Sequence, residues 1–176
     1  MLHSRREIYK QNFFGLGKAG STKGNEQGGQ TLPAAKSIEW AERVTTPVLE
    51  LWGMTELAGA ATANPYYGDN KPGTIGLMYP GSEGKIVSVD DPNVELGAGE
   101  EGEFMVRGPL VMLGYYGNDE ATQDVMTPGN WMHTGDIATR DEDNYFTIVD
   151  RKKDMILTAG YNVYPAELER VICGHP

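Results

Sequence analysis

Residues 131–165 read WMHTGDIATRDEDNYFTIVDRKKDMILTAGYNVYP. Thr134-Gly135-Asp136 reads as a tight turn that exposes a carboxylate. Asp141–Asn144 is a second turn by composition, and Tyr145–Val149 alternates as a strand. Met155–Leu157 starts a hairpin turning at Gly160, and a helix opens at Pro165 with Leu168, Val171 and Ile172 on its apolar face. Asp136 precedes Arg151 by a hairpin's length, a spacing that returns both to one side of a sheet. An ionised carboxylate only accepts hydrogen bonds, so Asp136 suits a pair of ribose hydroxyls. An isolated Thr-Gly-Asp is more often just a β-turn, and Asp150–Asp154 reads equally well as a solvated charge cluster.

Upstream, Pro33 is placed for the first turn of a helix over Ala34–Val44, with Ile38, Ala41 and Val44 on one face. Pro47–Leu51 reads as a short buried strand, so LWGMTE at 51–56 would fall at a strand's C-terminal end, where open sheets present ligand sites. There Gly53 permits close backbone approach, Thr55 offers a hydroxyl, Glu56 a hard oxygen for Mg²⁺, and Trp52 an aromatic face. Taken alone, the six residues are better explained as a strand end with a buried Trp, a turn Gly and an exposed Glu. Asn64–Lys71 is a loop. Lys85–Val89 and Gly102–Arg107 are strands, and Asn118–Asp124 is one or two helical turns. This spacing predicts a small antiparallel sheet or distorted barrel, a β-rich α+β fold.

Fifteen basic and 25 acidic residues leave a net charge of −10, which argues against non-specific nucleic-acid binding. No apolar run reaches the roughly 20 residues that span a bilayer. One cysteine, Cys173, excludes an internal disulfide framework, and a reducing cytoplasm is the simplest setting. Residues 1–27 are polar, basic and without period, and are expected to be poorly ordered. Within them GKAGSTKG lacks the spacing of a phosphate loop. His133 reads as a structural histidine, because no Ser or Cys is arranged beside it for nucleophilic catalysis.

Read together, and in this order, LWGMTE and the 131–165 stretch resemble the adenylate-forming superfamily. That superfamily includes acyl-CoA synthetases, luciferase-like enzymes and peptide-synthetase adenylation domains. The resemblance covers roughly Gly28 to the C-terminus. It implies that residues 28–150 are the C-terminal part of a large AMP-binding domain, built as a distorted antiparallel β-barrel or sheet. It implies that 151–176 are a hinge and the start of a small α+β domain, leaving 1–27 unassigned. It assigns Gly28 and Gly29 to the adenine pocket, and Trp52, a departure from the more usual tyrosine, to the adenine ring. Gly53 and Ile148 join the nucleotide site. Thr55 acts at the phosphates, Glu56 holds Mg²⁺, and Asp136 with Arg151 binds the ribose. Lys153 becomes the pivot of a rotating domain, and Gly160 and Tyr161 line a tunnel for the thiol.

The implied reaction joins a carboxylic acid to ATP, releases pyrophosphate and transfers the acyl group from the adenylate to CoA. ATP, Mg²⁺, CoA and a small carboxylic acid are the implied partners. The wording DRKKDMI and GYNVYPAELE is most like synthetases of the fatty-acid or aryl-acid type. An adenylation domain loading a carrier-protein thiol is one alternative; an inert β-rich fragment that acts only by association is another. The family's Ser/Thr/Gly-rich phosphate loop and its C-terminal catalytic lysine have no counterpart in the 176 residues. The expectation is therefore a truncated or frame-disturbed gene product, inactive alone, of an active parent ligase.

Overall fold

The computed structural model describes residues 34–44, 48–158 and 161–173. The first described element, α1, spans Ala34–Val44, as the sequence predicts. One inward residue is polar: Ser37 is buried and donates from Oγ to Glu50 Oε1 at 2.8 Å, while Ile38 is half exposed. Glu50, itself buried, also accepts from Gly73 N at 2.9 Å. These bonds satisfy a carboxylate that would otherwise be costly to bury. They hold residues 48–50 against α1 and the 73 loop. The strand expected at Pro47–Leu51 accordingly begins later, as β1 at Leu51–Met54.

A one-turn 3-10 segment, Thr55–Leu57, then reverses the chain into β2, Gly59–Ala63, and β3, Leu77–Met78, completes a three-stranded antiparallel sheet. Trp52 and Met54 thus lie within β1, and only Thr55 and Glu56 lie past its end. Gly53 sits at a register shift between β1 and β2. A β-carbon on Gly53 would fall 1.7 Å from the Gly59 carbonyl oxygen. Glycine is required there by the neighbouring strand.

The larger sheet contains β4 (Glu83–Val87), β5 (Gly102–Arg107), β6 (Met126–Thr127), β7 (Trp131–Arg140) and β8 (Phe146–Arg151). Its order is β4-β5-β7-β6, with β8 also on β7, and every pairing is antiparallel. The prediction for β5 holds residue for residue. β4 starts and ends two residues earlier than predicted, because Ser88 Oγ accepts from the backbone of Asp90 and Asp91 and closes a turn. β8 runs past Val149 to Arg151. Helix α2, Asp119–Val125, connects β5 to β6. Asn118 caps it by accepting from Ala121 N at 3.1 Å, with Asp119 and Glu120 in the first turn, where the helix dipole favours them.

The core joins the two sheets. Leu57, Ile86, Phe104, Val106, Met132, Ala138 and Phe146 form one buried cluster, with Trp52, Met54 and Ile148 packed against it. Each large side chain buried there contributes about 1.5–3 kcal/mol. Phe104 stands in an aromatic row, 5.0 Å from the Trp52 ring and 4.6 Å from Phe146.

Past β8, Lys152–Asp154 make a 3-10 turn. A hairpin of β9 (Ile156–Thr158) and β10 (Tyr161–Val163) follows, then helix α3, Pro165–Cys173. The predicted hairpin and helix are present. The helix docks back on β8 through Ala166 N, which donates to Asp150 Oδ2 at 3.0 Å. Leu168, Val171 and Ile172 are exposed. The curled antiparallel sheets with few helices match the β-rich α+β fold expected. Among the described residues no helix is long and apolar enough to cross a membrane.

Candidate functional site

Thr134-Gly135-Asp136 is not a turn. It lies inside β7, a strand of 10 residues. The partner strand explains the shape. On β5, Glu103 faces Ile137 and Met105 faces His133, so Phe104 alone opposes the three residues of the motif. The extra residues bulge, and Gly135 takes a φ of +72°, which glycine adopts without cost. Thr134 pins the bulge: its Oγ donates to the Phe104 carbonyl at 2.7 Å and accepts from Asp136 N at 3.1 Å. The bulge turns Asp136 toward β1 and β8.

Asp136 is 4% exposed. It pairs across β7 and β8 with Arg151, whose Nε lies 2.7 Å from Oδ1. Trp52 donates from Nε1 to Oδ2 at 2.8 Å. Burial raises the carboxyl above its ordinary pKa, while Arg151 and the Trp52 bond pull it back. Three strands thus converge on one carboxylate, and each of its oxygens still has acceptor capacity.

Beside this cluster an open cleft of about 510 Å³ is bordered by Glu56, Tyr115, His133, Gly135, Arg151 and Lys152. Glu56 projects from the 3-10 turn after β1, and Tyr115 donates from its hydroxyl to Glu56 Oε1 at 2.9 Å. Across the cleft Glu103, buried on β5, accepts from Lys152 Nζ at 2.7 Å and lies 3.0 Å from His133 Nδ1. That pairing offsets the desolvation of Glu103. No group of three or more His, Cys, Asp or Glu side chains able to hold a metal occurs among the described residues. A single accessible carboxylate such as Glu56 suits Mg²⁺, which keeps waters and takes phosphate oxygens alongside one or two protein carboxylates.

The fold therefore brings Trp52, Glu56, Asp136 and Arg151 together, with Thr55 exposed at the start of the 3-10 turn. Ile148 packs against the core from β8. Lys153 is exposed in the 3-10 turn past Arg151. Tyr161 stands 75% exposed on the β9–β10 hairpin and is not among the residues bordering the cleft. Gly28, Gly29 and Gly160 lie outside the described residues. Sequence reading missed Tyr115, Glu103 and Lys152. The one signal for Glu103 was a lone carboxylate inside the apolar run of GEFMV. Nothing local marks Tyr115, which meets Glu56 across 59 positions of chain.

A family model described as AMP-binding enzyme matches residues 16–116. The long-chain-fatty-acid–CoA ligase of Escherichia coli O157:H7 is 46% identical over 149 residues, covering 85% of this chain and 26% of that protein. The luciferin 4-monooxygenase of Photinus pyralis is 42% identical over 150 residues, or 85% and 27% of the two chains. The crystal structure of ATP-bound MatB from Rhodopseudomonas palustris superposes with a TM-score of 0.76 at 37% identity, over 82% of this chain and 28% of that one. The chain spans about a quarter of the length of the curated relatives it matches. With more than half of its residues matched by the family model and its curled sheets shared with ATP-bound MatB and the O-succinylbenzoate coenzyme A synthetase of Bacillus subtilis, the chain belongs to the AMP-binding, adenylate-forming enzyme family.

Proposed function

We propose that this chain supplies the ribose, base and metal contacts of an acid–thiol ligase that makes acyl-CoA through an acyl-adenylate. A carboxylate oxygen attacks the α-phosphorus of ATP, the bond to the β-phosphate oxygen breaks, and pyrophosphate leaves. The thiol sulfur of CoA then attacks the acyl carbon, losing its proton, and AMP departs. The observation that carries this reading is the convergence of Trp52, Asp136 and Arg151 beside a cleft that also holds Glu56.

Each residue has a part. Asp136 accepts the two ribose hydroxyls, and Arg151 and Trp52 hold its carboxylate in place. Trp52 presents its ring toward the base, and Gly53, Ile148 and the Gly28-Gly29 stretch complete that pocket. Thr55 donates its hydroxyl to a phosphate oxygen. Glu56 holds Mg²⁺, which when bound neutralises charge on the phosphates. These contacts position the reactants, so the α-phosphorus and the acid meet in attacking geometry.

The domain boundary falls at the end of β8, between residues 28–150 and 151–176, with Lys153 as pivot. Arg151 is fastened to Asp136 and Lys152 to Glu103, and the chain leaves the sheet through the short turn that follows. Gly160 and Tyr161 then swing toward the thiol path. The sequence similarity to fatty-acid–CoA ligases favours a long-chain fatty acid as substrate and CoA as acceptor.

The test is a hybrid in which this chain replaces the matching 149 residues of the Escherichia coli ligase. ATP–pyrophosphate exchange with a panel of acids should appear with long-chain fatty acids, followed by thioester formation on CoA. Exchange with no acid overturns the reading. Exchange followed by transfer only to a carrier-protein thiol overturns the choice of acceptor.

A further inference from the structure

Tyr115 is the least expected member of the cleft. It lies on the loop between β5 and α2, and that loop grips Glu56 at two points. Met112 N donates to the Glu56 carbonyl at 2.8 Å, and the Tyr115 hydroxyl donates to Glu56 Oε1 at 2.9 Å. Tyr115 is itself anchored: its backbone N donates to Thr122 Oγ at 2.9 Å, and Thr122 Oγ donates to the Asn118 carbonyl at 2.9 Å. The loop is thus tied to the first turns of α2.

We propose that Tyr115 is a positioning residue for the metal ligand, fixing the Glu56 carboxylate so that Oε2 faces the cleft for a nucleotide-bound divalent cation. This rests on the reading of Glu56 as that ligand. A free glutamate on a surface turn explores many rotamers and must freeze one when it binds a cation. A phenol donor that occupies one oxygen beforehand removes most of that loss and leaves the other oxygen open. The same contact leaves a mark on the phenol. Burial, and then the neighbouring Glu56 carboxylate, raise the Tyr115 pKa above its ordinary value.

The experiment uses the polypeptide as it stands, with Mn²⁺ as probe. ATP affinity is measured by equilibrium binding in EDTA and across a Mn²⁺ titration, for wild type, Tyr115→Phe, Glu56→Gln and the control Tyr116→Phe. Tyr116 is fully exposed and outside the site. Tyr115→Phe should raise the Mn²⁺ concentration needed for half-maximal enhancement by roughly ten- to a hundredfold, as expected for losing a hydrogen bond to a charged group. It should leave affinity in EDTA unchanged. Glu56→Gln should abolish the enhancement, and Tyr116→Phe should behave as wild type.

An intact Mn²⁺ response in Tyr115→Phe, with the response lost in Glu56→Gln, overturns the proposal and spares the metal reading. An intact response in Glu56→Gln, or no Mn²⁺-dependent ATP binding in wild type, overturns both. Lower affinity in EDTA for Tyr115→Phe would show that the tyrosine merely supports the fold, and would overturn the positioning role.

Discussion

Asp136 shows how a binding residue is set against stability. Its carboxylate is buried before any ligand arrives, and Arg151 and Trp52 only partly offset the desolvation. Its pKa is raised on folding from the ordinary 3.8, so the protonated form favours the folded state. That contribution is fully present below the unfolded value and is lost as pH rises through the folded one. Asp136→Asn, which cannot ionise, should therefore raise the melting temperature relative to wild type at neutral pH. The advantage should shrink toward pH 3, as wild type protonates. Thermal melts across that range check the sign; a melting temperature lowered by the substitution at neutral pH would mean that the Arg151 pair outweighs burial. The same variant should weaken ATP binding by about 1.5–3 kcal/mol, the scale of a hydrogen bond to a charged group, as read by isothermal calorimetry.

At the level of the element, strands and turns are spaced by steric need. β1 and β2 approach so closely at Gly53 that a β-carbon would overlap the Gly59 carbonyl oxygen, at 1.7 Å. Gly53→Ala should destabilise the chain by about 1–3 kcal/mol or more, the usual range for forced overpacking. Urea unfolding measures it, and an unchanged midpoint would show that the strands can separate there freely. The 3-10 turn after β8 makes a different prediction. Lys153 is the middle residue of that segment, and a proline there would fix its φ near about −65°. Lys153→Pro in the hybrid ligase should fix the backbone at the proposed pivot. One half-reaction should survive and the other fall sharply, measured as pyrophosphate exchange against thioester formation. Equal loss of both would argue against a pivot at that residue.

Across the whole molecule, packing is uneven. Buried apolar side chains concentrate where β4, β5, β7 and β8 meet the turn after β1. The β9–β10 hairpin and α3 expose Ile156, Leu157, Tyr161, Leu168, Val171 and Ile172. Local stability follows buried contacts. Hydrogen exchange should be slowest at the amides of Ile86, Phe104, Val106, Met132 and Ala138, and fast in β9, β10 and α3. Equal protection of α3 and β5 would contradict this distribution.

The sequence by itself determined the elements whose cause is local. Helix α1, strand β5, the hairpin after Asp154 and the helix at Pro165 follow from periodicity, turn residues and proline placement. The pairing of Asp136 with Arg151 followed from spacing along one hairpin. Motifs in a fixed order were enough to suggest the family. Four features were decided only by the tertiary structure. Thr134-Gly135-Asp136 became a bulge, since its shape depends on how many residues of β5 stand opposite. β1 began at Leu51, since Glu50 found its hydrogen-bond partners on α1 and beside Gly73. Tyr115 reached Glu56, and Lys152 reached Glu103, across chain separations of 59 and 49 residues. A side chain's partner at such distances is chosen by strand register and packing, which no local pattern records.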